Sequence, residues 1–287
     1  MSSPQTPMSD QDFKALIHLL DDDDPEVSAH VWSRLMALGP EGKERLEAQW
    51  ELEPDPAIQK RLEEILHRIS LDDTAKELRD WRLDGGQDLL KGWFIFTKTK
   101  YPELDFQTYR NIVSRLVNKT WLQLNDRMTG AEKVKVISHL LFKVEEFTNN
   151  KDNPHHPSAI YLNHVLDAME GNAASLGLLY LIIAKELKLP VGGVILPGYF
   201  ILFYKDNREE FYIDVYNGGH AFSKQALQGY LKQINLEERP AYFMPTSNIY
   251  IILNLIRTAI HDYGLMENQG KVEELENLLK EIDVRLE

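Results

Sequence analysis

The sequence predicts an α+β fold, predominantly α, with a central helix lying against a small antiparallel sheet. Three observations predict it. First, Gly171 opens an apolar run, GNAASLGLLYLIIAKELKLP, which is long enough for a buried helix and stops at Lys185 and Glu186. Second, Val194 to Leu196 and Phe200 to Tyr204 read as strands, and Phe211 to Val215 returns after a polar hairpin tip at Lys205 to Glu209. Third, on both sides of this block the apolar residues recur at spacings of three and four, the period of helices that bury one face.

Taken in chain order, residues 1–10 are rich in Ser, Pro, Gln and Met and are expected to form a flexible tail. Residues 11–70 carry an internal repeat. Asp24-Pro25-Glu26-Val27 recurs 31 residues later as Asp55-Pro56-Ala57-Ile58, and with the same offset Val31 matches Leu62, Leu35 matches Leu66 and Leu38 matches Ile69. An Asp to cap the free amides and a Pro in the first turn mark a helix start. A period in this range marks stacked helical units. The region resembles two degenerate HEAT-type units, too few to stand alone. A new helix is expected to begin at Leu71-Asp72-Asp73-Thr74, opening a domain over 71–245. Its first part, Ala75 to Phe147, reads as three or four amphipathic helices broken at Gly85-Gly86, Tyr101-Pro102 and Asn125 to Gly130. A polar loop, Asn149 to Pro157, leads to the central block. Residues 246–287 read as a C-terminal helical hairpin, with Ser247 as N-cap of its first helix and Val272, Leu275, Leu278, Leu279 and Ile282 as the apolar stripe of its second.

Composition bounds the function. The chain has 287 residues, 43% of them hydrophobic, enough for a substantial core. No apolar run reaches the ~18 residues of a membrane helix. The first residues show no basic stretch followed by an apolar one, so no secretory signal is expected. The net charge of −13 and the absence of a Lys/Arg cluster exclude a general basic field for phosphate backbones or anionic lipid, so neither nucleic acid nor membrane is expected as a partner. With no cysteine, the chain has neither disulfides nor thiolate metal sites, which fits a cytoplasmic location.

The central block carries the motifs. Gly171-Asn172-Ala173 opens the helix and Leu187-Lys188-Leu189-Pro190 ends it. Tyr199 and Asp214 follow on successive strands, fifteen positions apart, within Pro197-Gly198-Tyr199-Phe200 and Ile213-Asp214-Val215-Tyr216-Asn217-Gly218-Gly219. Upstream stands Tyr161-Leu162-Asn163-His164-Val165-Leu166. Over roughly residues 75 to 245 this resembles the transglutaminase-like (papain-like) fold, and within it the SirB-type family of bacterial proteins. The resemblance implies a thiol nucleophile at the start of the central helix, a histidine base on the next strand and an orienting carboxylate on the strand after it. Here Ala173 stands at the cysteine position and Tyr199 at the histidine position, and only Asp214 keeps the expected chemistry.

These replacements point to a non-catalytic member of the fold. Alanine has no nucleophilic atom, and a phenol with a reference pKa of about 10 is a poor base at neutral pH. Triad members act as a unit, so their joint loss removes thiol chemistry. The expected role is a protein- or peptide-binding or regulatory module, with Asn163, Asn172, Ser175, Tyr199, Asp214 and Asn217 as candidate cleft residues and an unidentified protein or peptide as partner. The alternative is an unconventional hydrolase or acyl-transferase that uses Ser175, close to the helix dipole, or the Tyr199/Asp214 pair. Ser175 would need a base, and the nearest histidines in sequence are His164 and His220; the competing reading is a cap at a helix start.

No cofactor and no metal are expected. His155, His156, His164 and His220 lack HxxxH or HExxH spacing, and His155-His156 sits before a proline in a polar loop. Gly192-Gly193 and Gly218-Gly219 lack the Lys-Ser/Thr of a phosphate loop and read as tight turns. The aromatic residues of the strands should alternate, with Tyr199, Ile201 and Phe203 on one face and Phe200, Leu202 and Tyr204 on the other.

Overall fold

The computed structural model of the chain describes residues 9–22, 24–150, 153 and 155–282. They are mostly helical, with a small antiparallel sheet. The chain divides into two compact units, Met1–Lys76 and Glu77–Glu287.

Among the described residues, the regular elements of the first unit are helices: α1 (Asp10–His18), α2 (Pro25–Met36), α3 (Gly39–Leu52) and the first part of α4 (Pro56–Leu83). Most of the expected tail lies outside the described residues. Ser9 and Asp10 do not belong to a tail: Ser9 caps α1, its hydroxyl accepting the Asp12 N–H at 3.1 Å, and Asp10 is the first helical residue. The two Asp-Pro repeats each open a helix. Asp24 accepts the Glu26 N–H at 2.9 Å and Asp55 the Ala57 N–H at 2.8 Å, which satisfies amides that lack a partner within the helix. The repeated apolar positions Val31, Leu35, Leu62 and Ile69 are buried in one cluster with Phe13, Ile17, Leu20, Leu46, Ile58 and Ile65.

The helix start expected at Leu71 does not occur, since α4 runs unbroken from Pro56 to Leu83. Asp72 and Thr74 carry cap chemistry but spend it inside the helix. Asp72 pairs with Arg68 one turn back at 3.1 Å, and the buried Thr74 hydroxyl donates to the Ser70 carbonyl at 2.7 Å. With no glycine or proline between Ile58 and Arg82, nothing ends the i→i−4 ladder.

In the second unit the breaks fall in the predicted places. After α4, Gly85 and Gly86 turn the chain with positive φ of 86° and 62°. There follow α5 (Leu89–Lys98), α6 (Phe106–Trp121) and α7 (Gly130–His139), whose end widens into a π turn over Leu140–Val144. Asp88, Asp105 and Thr129 cap these three helices. A two-residue strand β1 (Thr148–Asn149) pairs in parallel with β2 (Glu170–Gly171). Between them lie a 3₁₀ turn (Pro157–Ile160) and α8 (Leu162–Ala168). The Trp93 indole donates to the Ile160 carbonyl at 2.8 Å and fixes that turn beside α5.

The central helix α9 (Ala173–Glu186) is apolar all round, and every residue from Ser175 to Ala184 is buried, as a helix covered on all sides requires. Beside it lies a four-stranded antiparallel sheet in the order β3 (Val191–Leu196), β4 (Tyr199–Lys205), β5 (Glu210–Asp214), β6 (His220–Phe222). The alternation along β4 holds. Phe200 faces α9, where it lies so close to Gly177 that a Cβ there would meet the ring at 2.5 Å. On the other face Tyr199, Ile201 and Phe203 pack with Leu227 and Leu231 of α10 (Lys224–Gln233). The described residues end in two helices that pack on each other, α11 (Asn248–Leu265), capped by Ser247, and α12 (Gln269–Ile282).

Candidate functional site

The site is built where α9 begins. Asn172 is its N-cap. The Asn172 Oδ1 accepts the N–H groups of Ala174 and Ser175, both at 3.0 Å, and the Ser175 Oγ accepts the Asn172 N–H at 3.0 Å. This reciprocal cap ties up the amides that an anion or a developing oxyanion would otherwise use at a helix start. Gly171 is required just before it, because a Cβ at that position would meet Ser175 Oγ at 2.6 Å.

Ser175 is not presented to solvent. It is fully buried, and its hydroxyl donates to the Ala159 carbonyl at 2.6 Å, so it joins the 3₁₀ turn to the central helix. Neither His164 nor His220 is among its hydrogen-bond partners. With its proton committed to a carbonyl and its oxygen accepting an amide, it has the environment of a structural hydroxyl.

Ala173 lines a cleft of about 490 Å³, together with Asn172, Ala174, Leu196, Gly198, Tyr199, Phe200 and Tyr216. Tyr199 is half-buried at the start of β4. Its hydroxyl donates to Asp214 Oδ1 at 2.8 Å, and its ring stands edge-on to Tyr216 with centroids 6.1 Å apart. Burial first, and the Asp214 carboxylate second, push the Tyr199 phenol well above its ordinary value, so it remains a protonated donor. Asp214 also accepts the Asn217 N–H at 3.2 Å and its side-chain amide at 2.7 Å. Tyr199, Asp214 and Asn217 therefore form one hydrogen-bonded chain across the strand ends.

The structure brings some of the sequence candidates together and separates others. Asn172, Ala173 and Tyr199 line the cleft; Asp214 supports Tyr199 from behind. Asn217 lines a neighbouring groove with Asn149, Glu170 and His220. Asn163 lies on α8 with its side-chain oxygen buried and without a hydrogen-bond partner, and it is not among the residues lining the cleft.

The opposite wall of the cleft was not legible as part of the site. It comes from α11, through Asn254, Arg257, Thr258, His261 and Asp262, and from His155 beside the 3₁₀ turn. Asp262 is buried to 1% exposure, and its Oδ1 lies 3.1 Å from the Nδ1 atoms of both His155 and His261. Its Oδ2 is buried without a hydrogen-bond partner. Burial raises the Asp262 carboxyl above its ordinary value, and the two histidines oppose that shift. The sequence did hold a signal: Asp262 continues the buried stripe of Leu255 and Ala259, a position where an apolar residue belongs.

A central helix, an adjacent antiparallel sheet and a cleft at the helix start define a transglutaminase-like core. The sequence profile of the transglutaminase-like superfamily matches residues 107–257, more than half of the chain. The chain belongs to that superfamily. It is similar to a UPF0162 protein of Xylella fastidiosa (strain Temecula1), 25% identical over 140 residues, which are 49% of this chain and 50% of that one. It is also similar to a UPF0162 protein of Buchnera aphidicola (subsp. Schizaphis graminum), 30% identical over 132 residues, 45% of this chain and 48% of that one. The chain thus spans about half the length of the curated relatives it matches. No solved structure matches it.

Proposed function

We propose that this protein is a non-catalytic member of the superfamily, of SirB type, that uses the cleft at the start of α9 to bind a protein or peptide segment. One observation carries the reading. Where the fold's thiol and imidazole would stand, an alanine methyl and a phenol line the cleft, and the phenol's proton is held by Asp214. The cleft nonetheless remains a concave space of about 490 Å³ with aromatic walls and a few polar groups, within the size range of ligand sites. A space of this kind suits the capture of an apolar or aromatic side chain from a bound segment. The helices of residues 11–70, read as HEAT-like units, would add a second binding surface, and the setting is a cytoplasmic one.

The competing reading, a hydrolase or acyl-transferase using Ser175 or the Tyr199/Asp214 pair, has less behind it. The Ser175 hydroxyl is buried and bonded to the Ala159 carbonyl, and the Tyr199 phenol is poised to give a hydrogen bond rather than to take a proton.

A photo-crosslinking amino acid at Ala174 tests the binding reading in native lysate, with the same group at Gln228 of α10, which does not line the cleft, as control. Crosslinks to polypeptide at Ala174 that are absent at Gln228 are expected. Equal or absent crosslinking at the two positions contradicts the reading.

A further inference from the structure

We propose that His155 Nδ1, His261 Nδ1 and Asp262 form a binding site for a first-row divalent cation of the zinc type, on the cleft wall that faces the start of α9.

The argument starts from the carboxylate. Asp262 is 1% exposed, yet only its Oδ1 has partners, the two imidazole nitrogens at 3.1 Å each, while Oδ2 is buried and unpartnered. A buried carboxylate needs a counter-charge or a full set of donors. The two imidazoles reach one oxygen and leave the other without a partner. A cation held among the three side chains supplies the missing charge.

The geometry suits such a cation. The three ligand atoms lie within 4.8 Å of one another. A tetrahedral zinc with ligand bonds of about 2.0–2.1 Å sets its ligand atoms about 3.3 Å apart, near the 3.1 Å that separates the carboxylate oxygen from each imidazole nitrogen. Two imidazoles and one carboxylate are a donor set for zinc or its neighbours in the first transition row; magnesium and calcium prefer oxygen alone. Three protein ligands on the wall of an open cleft leave a fourth position for water or for a group of a bound segment. His155 and His261 stand 106 positions apart in the chain. No spacing motif joins them, which is why histidine spacing predicts no metal. They meet because α11 packs against the 3₁₀ turn that follows His155.

The inference goes beyond the binding reading and rests on other residues, so failure to capture a polypeptide leaves it standing. Its test is a zinc titration of the tag-free full chain against a chromophoric chelator, with the visible absorption of bound cobalt as a second readout. One ion per chain is expected, together with a cobalt spectrum of tetrahedral type. His155→Ala and His261→Ala should each weaken binding by at least about 100-fold, more than the 10–100-fold loss typical of an outer-sphere partner. Both side chains are largely exposed, at 58% and 61%, so their removal leaves the core intact. His220→Ala, at an exposed histidine of β6, should leave binding unchanged. Absence of stoichiometric zinc uptake, or uptake that survives both histidine substitutions, overturns the proposal and leaves a His–Asp–His hydrogen-bond cluster only.

Discussion

The Tyr199 hydroxyl donates a 2.8 Å hydrogen bond to Asp214, so a carboxylate at the end of β5 holds the phenol at the start of β4. The pairing links β4 to the end of β5, and the carboxylate gathers the Tyr199 hydroxyl and both nitrogens of Asn217.

Tyr199→Phe removes that bond and leaves the ring in place. The cost should be about 1 kcal/mol, the usual net worth of one hydrogen bond, because Asp214 keeps Asn217. Urea unfolding of the variant beside the parent chain measures it. A variant as stable as the parent would mean that the bond contributes nothing.

Ser175→Ala should act on stability and not on the cleft. The substitution leaves the Ala159 carbonyl and the Asn172 N–H without their buried partner, a loss of about 1–3 kcal/mol. Folded parent protein should show no labelling by a fluorophosphonate probe. Labelling that disappears in the serine variant would instead establish Ser175 as a nucleophile.

Acid should weaken the start of α7. Thr129 and Glu132 cap each other there, and the backbone N–H and side chain of Thr129 hold the Glu132 carboxyl below its ordinary value of 4.5. A carboxyl depressed in the folded state adds stability above its unfolded value, and that stability is lost as pH falls through the lower folded value. The thermal midpoint of the parent chain should therefore fall more steeply below about pH 4.5 than that of Glu132→Gln, since glutamine keeps the cap but cannot titrate. Parallel curves would remove Glu132 from the acid response.

Much of this molecule is legible in its sequence where local rules decide. The two Asp-Pro helix starts, the Ser247 cap, the apolar central helix and the β4 alternation each follow from a few neighbouring residues. The reading fails where a local signal competes with continuation. Asp72 and Thr74 resemble a helix start, yet no breaker accompanies them, and both side chains bond within α4. It is silent where packing decides. Ala173 and Tyr199 could be placed in the cleft by spacing, but the wall carrying His155, Arg257, His261 and Asp262 comes from the loop before the 3₁₀ turn and from a helix that reads as a separate closing hairpin. The burial of Ser175 is of the same kind, because its acceptor, the Ala159 carbonyl, is a backbone atom of a turn that precedes the central helix by more than a dozen residues.

The most direct measurement asks whether the cleft at the start of α9 is the superfamily's triad site with its chemistry replaced. The chain has no cysteine, so Ala173→Cys introduces a single thiol whose alkylation rate can be followed against pH. An unperturbed thiol titrates near about 8.5, and one paired with an imidazole at a helix N-terminus titrates lower. Ala173→Cys combined with Tyr199→His should shift the alkylation profile to lower pH than Ala173→Cys alone, with Asp214 still present to hold the new imidazole. Superimposable profiles near the ordinary thiol value in two folded variants would contradict the assignment of these positions to a vestigial triad.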